Sequence, residues 1–403
     1  MLRSAIIYDG VREYRQAITD RTATVHMADI SKESDKTEAV LRIREKILAE
    51  DYDLQNKPMF QITCAKTSDN SCYLIAATHH IIVDGWCIPL YFRDFEKFID
   101  DEINGRSYGE DVTVAKGAYE AAVREIREKD LRDAVAYWKG VLDGYDTAAG
   151  IPQWGENENA DNENDTVESF IDKDTVERLS ELCRQEQVTF GTAVELAWGL
   201  TIGTASGSED VVYSKVVSGR DNTKTNVENI VGLFINSIPV RLKIDKDTTV
   251  MQALHALQEQ AAASNKWDWC PLSAIIELTP LGNKLFQSVF AFENYDSGSQ
   301  GTEKTNDINM KVLYAKEENI DCMTPSASLT EDGSLRFRIV YDKTAWSCAE
   351  MQRVAKLYAL LLSEIASSPD SRISELDRVD DDDRRDIIEL AHGIELEYDT
   401  TKT

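Results

Sequence analysis

Two adjacent histidines, His79 and His80, are followed after a short apolar run by Asp84 and Gly85, and the whole chain has only five histidines. An imidazole with an ordinary pKa near ~6.5 exchanges a proton near neutral pH, and a neighbouring carboxylate can fix the orientation of its ring. The stretch therefore predicts general acid–base chemistry at one of the two histidines. The alternative is a buried histidine pair beside an aspartate that only caps the next helix.

The elements on either side of this stretch predict how the histidines are held. Residues 72–78 are apolar and β-favouring, and they match residues 60–66 across the polar turn 67–71, which predicts a hairpin. Beyond Pro89, apolar side chains recur at helical spacing. We therefore expect the histidines at a strand-to-helix junction, where backbone and carboxylate hold an imidazole while one ring nitrogen faces a cavity.

Length and composition exclude several classes of protein. The 403 residues, 42% of them apolar, suffice for two domains or two lobes that share an interface. No apolar run approaches the ~20 residues of a membrane span, and the N-terminus shows no secretion signal, so we expect a cytoplasmic protein. The net charge of −28 argues against an extended nucleic-acid surface. The seven scattered cysteines form no CxxC pair, which predicts reduced thiols and no zinc site.

Two further motifs follow the histidines along the chain. Residues 210–221 read DVVYSKVVSGRD, and residues 231–241 read VGLFINSIPVR. Together with HHxxxDG at 79–85, they resemble, in order and in type, the motifs of the condensation domains of nonribosomal peptide synthetases, which belong with the chloramphenicol-acetyltransferase-like acyltransferases. The resemblance covers essentially the whole chain. Cys87 departs from it where many relatives carry Ser, and Ser214 departs from it where Gly is common.

The resemblance implies an α/β (α+β) fold of two chloramphenicol-acetyltransferase-like lobes, each a mixed sheet flanked by helices, with a tunnel between them. We expect the N-terminal lobe in residues 1–150 and the C-terminal lobe in residues 151–385. Residues 386–403 are expected to begin a linker to a following adenylation domain. The Leu-Arg-Ser segment at 2–4 resembles one that comes well inside the first lobe, so that lobe is expected to lack its opening strand and helix.

The resemblance also implies a reaction, in which the amine of an acceptor aminoacyl thioester attacks a donor aminoacyl or peptidyl thioester. Each substrate arrives on the phosphopantetheine arm of a peptidyl carrier protein, and the domain itself binds no cofactor and no metal. The implied partners are the donor and acceptor carriers and a downstream adenylation domain, with no nucleic acid or membrane and a monomeric chain. His80 is expected to act as a base or to position the amine, and His79 to hold the loop.

Supporting roles are implied for five further residues. Asp84 is expected to pair with Arg3, and removal of either partner to cost about 3–5 kcal/mol because the other charge stays buried. Gly85 is expected to adopt a backbone conformation that a Cβ would hinder, with its amide near the thioester oxygen. Asn236 is expected on the tunnel floor or in a plain loop. Asn283 keeps the Asn of a looser family motif that here lacks its flanking Arg and Pro.

Several other stretches carry predictions about secondary structure. Residues 115–142 are predicted as one long helical stretch, and residues 286–292 as a strand. Residues 153–165 are acidic and lack apolar periodicity, which predicts a mobile loop between the lobes. Ser347 and Glu350 are spaced as a capping box at the start of a helix.

Three other functions remain open. A stand-alone acyltransferase of the same fold would use free coenzyme A, although the DFGWG motif of the plant-type relatives is absent from this sequence. An epimerisation domain would show a different segment after the Asp-Gly pair. A non-catalytic carrier-docking domain would bind carriers without forming product, and a loaded carrier pair followed by mass spectrometry would separate it from an enzyme.

Overall fold

The computed structural model describes residues 2, 4–8, 10, 14–18, 24–50, 53–106, 117–153, 164–245, 247–293 and 323–392. The chain divides into two compact units. The first comprises residues 1–128, 223–235 and 295–308, and the second comprises residues 129–222, 236–294 and 309–403. By packing, the chain therefore changes unit at residue 128, and residues 223–235 return to the first unit. The lobe boundaries at 150 and 385, which were drawn from the family resemblance, stay predictions.

The first unit is built on a small mixed sheet. Its described elements are β1 (Ser4–Tyr8), β2 (Tyr14–Ile18), β3 (Thr24–Asp29), α1 (Lys36–Leu48), β4 (Phe60–Ser68), β5 (Ser71–Thr78), α2 (Cys87–Ile103) and α3 (Ala118–Arg127). β3 runs parallel to β4, and β4 pairs antiparallel with β5, so the order is β3-β4-β5. β1 and β2 form a separate antiparallel hairpin. The predicted hairpin of residues 60–66 and 72–78 is thus confirmed.

Local sequence explains where the helices of this unit begin. The Asp35 side chain accepts a hydrogen bond from the Glu38 N–H at 2.9 Å and caps α1, which buries Ala39 against Ala65 of β4. Pro89 lies in the first turn of α2, where a missing N–H costs nothing. α2 follows directly after the histidine motif, so that motif lies at the predicted strand-to-helix junction.

The prediction of one helix over residues 115–142 is wrong over its described part. α3 ends at Arg127, and a new helix, α4 (Leu131–Val141), begins after Asp130. The Asp130 carboxylate accepts a hydrogen bond from the Arg132 N–H at 3.0 Å. An aspartate at this position favours a helix start over helix continuation, because its side chain replaces a backbone partner. The chain passes from the first unit to the second at this break.

The second unit is organised around a six-stranded sheet in the order β6-β11-β10-β9-β7-β8. β9 pairs parallel with β10 and with β7, and the other pairs are antiparallel. After α4, its described elements are β6 (Asn164–Ile171), α5 (Lys173–Glu186), α6 (Phe190–Ser206), β7 (Asp210–Val217), β8 (Asn236–Lys243), α7 (Val250–Ser264), α8 (Leu272–Ile276), β9 (Val289–Phe292), β10 (Thr324–Leu329), β11 (Leu335–Asp342), α9 (Cys348–Ser367) and α10 (Asp381–His392).

Helix α6 lies at the centre of the main core of this unit. It is apolar nearly all round, which is the pattern of a buried helix. Its Trp198 is fully buried, and the indole packs near Phe290 and Phe337 of the sheet and Tyr358 of α9 at ring distances of 6.0–6.5 Å. A second cluster around Trp138 joins α4 to β8 and α8. Both clusters therefore hold β7 and β8 in place.

Two sequence predictions are corrected in this unit, and the predicted start of the linker stays a prediction. The predicted acidic loop is shorter, because Asn164 and Asp165 already belong to β6, which pairs with β11, while residues 154–163 lie outside the described residues. The predicted strand 286–292 covers only Val289–Phe292. Residue 386, the predicted start of the linker, lies within α10, and residues 393–403 lie outside the described part.

One further prediction is confirmed, since Ser347 and Glu350 form a capping box at the start of α9. Within the described ranges, no helix has both the length and the apolar composition to span a membrane. The same residues contain no cluster of three or more His, Cys, Asp or Glu side chains placed to hold a metal ion. Six of the seven cysteines are described, and all six are free thiols.

Candidate active site

The two histidines of the motif lie at the end of β5 and differ in their surroundings. His79 N–H donates to the Met59 carbonyl at 2.9 Å, and His79 Nδ1 accepts from the Ile81 N–H at 3.1 Å. Burial, together with the nearby His80, lowers the pKa of His79. Because Nδ1 accepts, the neutral ring carries its proton on Nε2. The His79 ring is therefore committed to holding the turn.

His80 begins the short 3₁₀ turn His80–Ile82, and its side chain is exposed. Ile82 anchors the turn, because it is fully buried and packs with Phe60 of β4 and with Met59, which precedes that strand. A rigid backbone thus presents one imidazole to the exterior of the unit. This is the arrangement that a general base or a positioning group requires.

Asp84 lies on the opposite, buried side of the same turn. Only 3% of its surface is exposed, and its Oδ2 accepts a hydrogen bond from the Phe234 N–H at 2.9 Å. Its Oδ1 lies 3.5 Å from the thiol of Cys87. α2 begins at Cys87, and Trp86 before it makes no side-chain cap, while the Asp84 carboxylate binds the Phe234 N–H, so the alternative in which Asp84 only caps this helix is wrong.

Cys87 links the histidine motif to the returning segment 223–235. Its Sγ lies 3.3 Å from the Gly232 carbonyl and accepts from the Gly232 N–H at 3.4 Å. The Tyr119 ring covers this point and meets the Phe234 ring edge-on, with centroids 5.2 Å apart. Burial, and next the negative charge of Asp84, raises the pKa of Tyr119, so this phenol stays neutral beside the motif.

Gly85 and Arg3 complete the predicted residues of this unit. Gly85 is not among the described glycines with a left-handed φ, and the prediction that a Cβ would hinder its backbone conformation stays a prediction. Its carbonyl accepts from the Ile88 N–H at 3.1 Å and helps to start α2. Arg3 lies outside the described residues, so its pairing with Asp84 stays a prediction.

The two predicted asparagines belong to the second unit. Asn236 is the first residue of β8, and its Nδ2 donates to the carbonyls of Asp268 at 2.6 Å and Cys270 at 2.7 Å. Asn283 lies exposed in the short turn Gly282–Lys284. The structure therefore joins Asn236 to the turn that contains Asp268, and it leaves Asn283 at a separate position.

Sequence reasoning missed Asp268, which is the buried carboxylate of this second network. It is 2% exposed, and its Oδ1 accepts a hydrogen bond from Asn222 Nδ2. Burial raises the pKa of Asp268 to about 6, although Asn222, Lys129 and Lys215 act to lower it. The only sequence signal was its position between two tryptophans, Trp267 and Trp269, which marks an acid in an apolar setting.

An exposed imidazole on a fixed turn of a mixed α/β fold is suited to act as a general base. The condensation domain profile matches residues 1–388, and the chain therefore belongs to the condensation domain family. The domains of this family form peptide bonds in nonribosomal peptide synthetases. The family, the α/β fold class and the amide-forming enzyme class predicted from sequence are confirmed at this level.

Curated relatives are large synthetases. Bacitracin synthase 3 of Bacillus licheniformis is 25% identical over 413 residues, which covers 100% of this chain and 6% of that protein. Tyrocidine synthase 3 of Brevibacillus parabrevis is 25% identical over 407 residues, covering 100% of this chain and 6% of that protein. The chain thus spans only a small fraction of the relatives that it matches.

Solved structures share the fold. The X-domain from teicoplanin biosynthesis superposes with a TM-score of 0.77 at 19% identity, over 93% of this chain and 86% of that one. A four-domain nonribosomal peptide synthetase bound to AMP and glycine gives a TM-score of 0.74 at 19% identity, over 94% of this chain and 30% of that one. The first condensation domain of the calcium-dependent antibiotic synthetase, in complex with a substrate analogue, gives 0.67 at 14% identity, over 94% and 87%.

Proposed function

We propose that this chain condenses a donor aminoacyl or peptidyl thioester with the amine of an acceptor aminoacyl thioester, with His80 at the reacting centre. The observation that carries the proposal is that the two histidines of the motif have different surroundings. His79 is held by two backbone groups through its own N–H and Nδ1, whereas His80 is exposed on the same turn. An exposed imidazole on a fixed backbone is available to a substrate amine.

In the proposed step, the acceptor nitrogen forms a bond to the donor carbonyl carbon, and the bond from that carbon to the thioester sulfur breaks. The nitrogen loses one proton, which passes to a ring nitrogen of His80, and the sulfur departs as a thiolate that takes up a proton and becomes a thiol. The atoms and electrons of this step balance without a further reactant. His80 thereby serves as base or as the acceptor that orients the amine, and either role requires the fixed turn.

The partners follow from this chemistry. We propose that the donor and acceptor are each delivered on the phosphopantetheine arm of a peptidyl carrier protein, and that an adenylation domain follows the chain in the full synthetase. The match of the chain to a small part of much longer synthetases supports a module of this kind. The supporting roles of Asp84, Gly85 and Asn236, the weaker one of Asn283, and the Asp84–Arg3 pair remain part of the proposal.

The experiment compares His80→Ala with wild type on carriers loaded with thioester substrates, with the dipeptidyl carrier detected by mass spectrometry. We expect the rate to fall by about 10² or more while the melting temperature stays near wild type. His26→Ala is the matched control, because His26 is an exposed histidine of the same unit on β3, away from the motif. Unchanged turnover in His80→Ala would remove His80 from the reaction.

A second candidate function is carrier or partner docking without catalysis. It is favoured by one solved neighbour of the same fold, which is a complex of the X-domain and OxyB from teicoplanin biosynthesis, with a TM-score of 0.73. Under this alternative, wild type would bind loaded carriers but yield no dipeptide. The same assay therefore separates the two functions before any variant is made.

A further inference from the structure

Residues 223–235, which we call the crossing segment, belong to the first unit, although the chain on both sides of them belongs to the second. The chain leaves the second unit after Asn222 and re-enters it at Asn236, the first residue of β8. Two asparagines therefore mark the two ends of the crossing segment. Because both ends are covalently fixed to the second unit, whatever holds these asparagines also limits the freedom of the segment.

A single turn of the second unit holds both ends. Asn222 Nδ2 donates to Asp268 Oδ1, and also to the Asn265 carbonyl at 2.6 Å. Asn236 Nδ2 donates to the Asp268 carbonyl at 2.6 Å and to the Cys270 carbonyl at 2.7 Å. Each amide group thus uses both of its N–H donors on this turn. Asp268 accepts from both ends, through its side chain for one and its backbone for the other.

The surroundings make the link to Asp268 hard to replace. The carboxylate is 2% exposed, so water cannot substitute freely for it as the acceptor for Asn222. Lys129 reinforces the same end, because its Nζ donates to the Asn222 carbonyl at 2.5 Å and lies 4.8 Å from the centre of the Trp269 ring. The other charged groups that act on Asp268 are Asp221 and Lys215.

The middle of the crossing segment holds the histidine motif. Phe234 N–H donates to Asp84 Oδ2 at 2.9 Å, and Gly232 contacts the Cys87 thiol through both its N–H and its carbonyl. Phe234 is two residues from Asn236. A shift at the Asn236 end therefore reaches the Asp84 hydrogen bond through two peptide units.

We infer that Asp268 is a positioning residue for the histidine turn, acting through the two anchored ends of the crossing segment. The inference rests on the proposed function in one respect, namely that the turn bearing His80 is where the amide forms. Asp268 holds Asn222 and Asn236, these hold the crossing segment, and Phe234 of that segment holds Asp84. Loss of the Asp268 hydrogen bonds therefore weakens the hydrogen bond between the Phe234 N–H and Asp84.

The experiment measures amide hydrogen exchange in the full chain for wild type, Asp268→Ala and Asn222→Ala. The peptide containing Phe234 is expected to exchange about tenfold faster or more in both variants, since its N–H loses its fixed partner more often. Asn222 is only half-buried, so Asn222→Ala is expected to fold, and it still removes the Asn222–Asp268 hydrogen bond if Asp268→Ala folds poorly. Asp268→Asn keeps an oxygen acceptor for Asn222 and is expected to restore most of the protection.

Asp172→Ala is the matched control, because Asp172 also anchors a local structure of the second unit, by capping α5 through the Thr175 N–H at 2.9 Å, but has no part in this network. It is expected to leave exchange at Phe234 unchanged. Unaltered exchange at Phe234 in both test variants would overturn the inference, and so would equal acceleration in the Asp172 control. The exchange experiment uses no substrate, so its outcome is independent of whether the proposed reaction occurs.

A second readout is the rate of dipeptide formation. We expect kcat to fall on the order of ten- to a hundredfold in Asp268→Ala and Asn222→Ala with KM for the loaded carriers little changed, because a misplaced reacting group affects the chemical step more than binding. Rescue of kcat by Asp268→Asn supports positioning. Equal losses in the Asn and Ala variants, with normal exchange at Phe234, would overturn it.

Discussion

At the scale of single residues, the histidine motif separates a structural imidazole from an available one. His79 is fixed by the Met59 carbonyl and the Ile81 N–H, and burial lowers the pKa of its ring. Asp84 is buried on the other side of the turn and is matched to the Phe234 N–H. The sequence predicted the order and type of these residues, but it held no sign of two of the three backbone groups that fix them, because those come from residues 59 and 234.

Loss of the hydrogen bonds described for the Asp84 carboxylate is expected to make Asp84→Asn less stable by about 1–3 kcal/mol, measured by urea unfolding, and a loss of about 3–5 kcal/mol is expected only if the predicted Arg3 pair also exists. In asparagine, an NH₂ group replaces one of the two carboxylate oxygens. Two donors face Asp84, the Phe234 N–H and the Cys87 thiol, and only one of them would still face an acceptor in the variant. Cys87→Ser is the matched control, since a hydroxyl can still donate to Asp84, and we expect it to be nearly neutral. An Asp84→Asn variant as stable as wild type would contradict the role of the carboxylate.

The predicted Asp84–Arg3 pair is tested by a double-mutant cycle with Arg3→Ala and Asp84→Asn. If the pair exists, the two substitutions should be coupled by more than ~1 kcal/mol in urea unfolding, because the loss of either charge already removes the interaction. Additive losses would reject the pair.

At the scale of elements, the crossing segment is the piece that the sequence described least well. The VGLF letters at 231–234 identified a family motif, yet nothing in them shows that the chain enters the other unit there. Strands such as β4 and β5 were predicted closely, because alternation and β-branched content are local signals. The burial of Lys215 against Glu195 depends on a partner on another element, so periodicity does not reveal it. The break between α3 and α4 is set by the cap of Asp130, which a count of helical periodicity overlooks.

Gly232→Ala is expected to destabilise the chain by about 1–3 kcal/mol, because its Cβ would lie 2.4 Å from two ring atoms of Tyr119. Urea unfolding measures the loss, and Gly232→Ala combined with Tyr119→Leu should recover part of it. Gly140→Ala is the control, because Gly140 lies in α4 and no atom of another element lies within 4 Å of the position that its Cβ would take. This change should stabilise the chain by about 0.5–1 kcal/mol. Equal effects of the two alanines would show that the Tyr119 contact is not tight.

At the scale of the whole molecule, the carboxylates differ in their exposure to water and in the direction of their pKa shifts. The chain carries a net charge of −28, yet two carboxylates of the second unit, Asp268 and Glu195, are largely removed from water. Burial raises the pKa of Glu195 even though Lys215 lies 3.1 Å away and acts to lower it. Exposed turn carboxylates behave oppositely: hydrogen bonds from Thr330 and Ser334 lower the pKa of Asp332 to about 2.

The raised pKa of Asp268 gives a signed pH dependence. Its unfolded pKa is 3.8 and its folded pKa about 6, so the folded state binds the proton more tightly. The resulting stability is fully present below the unfolded pKa and is lost as the pH rises through the folded one. Between about pH 5 and 7, the unfolding free energy of wild type should fall by about 1 kcal/mol relative to that of Asp268→Asn. The comparison with this variant isolates Asp268, because the contributions of all other titrating groups cancel in the difference. A constant difference across this range would show that Asp268 titrates normally.

The interleaving of the two units has a consequence for recombining such chains. A junction placed after residue 128 cuts cleanly between helices, but it separates the histidine motif from residues 223–235, which then come from the other parent. The chimera would join one parent's Asp84 and Tyr119 to another parent's Phe234 and Gly232. A parent with a larger residue at 232 would meet the Tyr119 ring. Exchange of the first unit between such chains at this junction therefore depends on carrying residues 223–235 together with the first 128 residues, while Asn222, Asn236 and Asp268 all remain the recipient's.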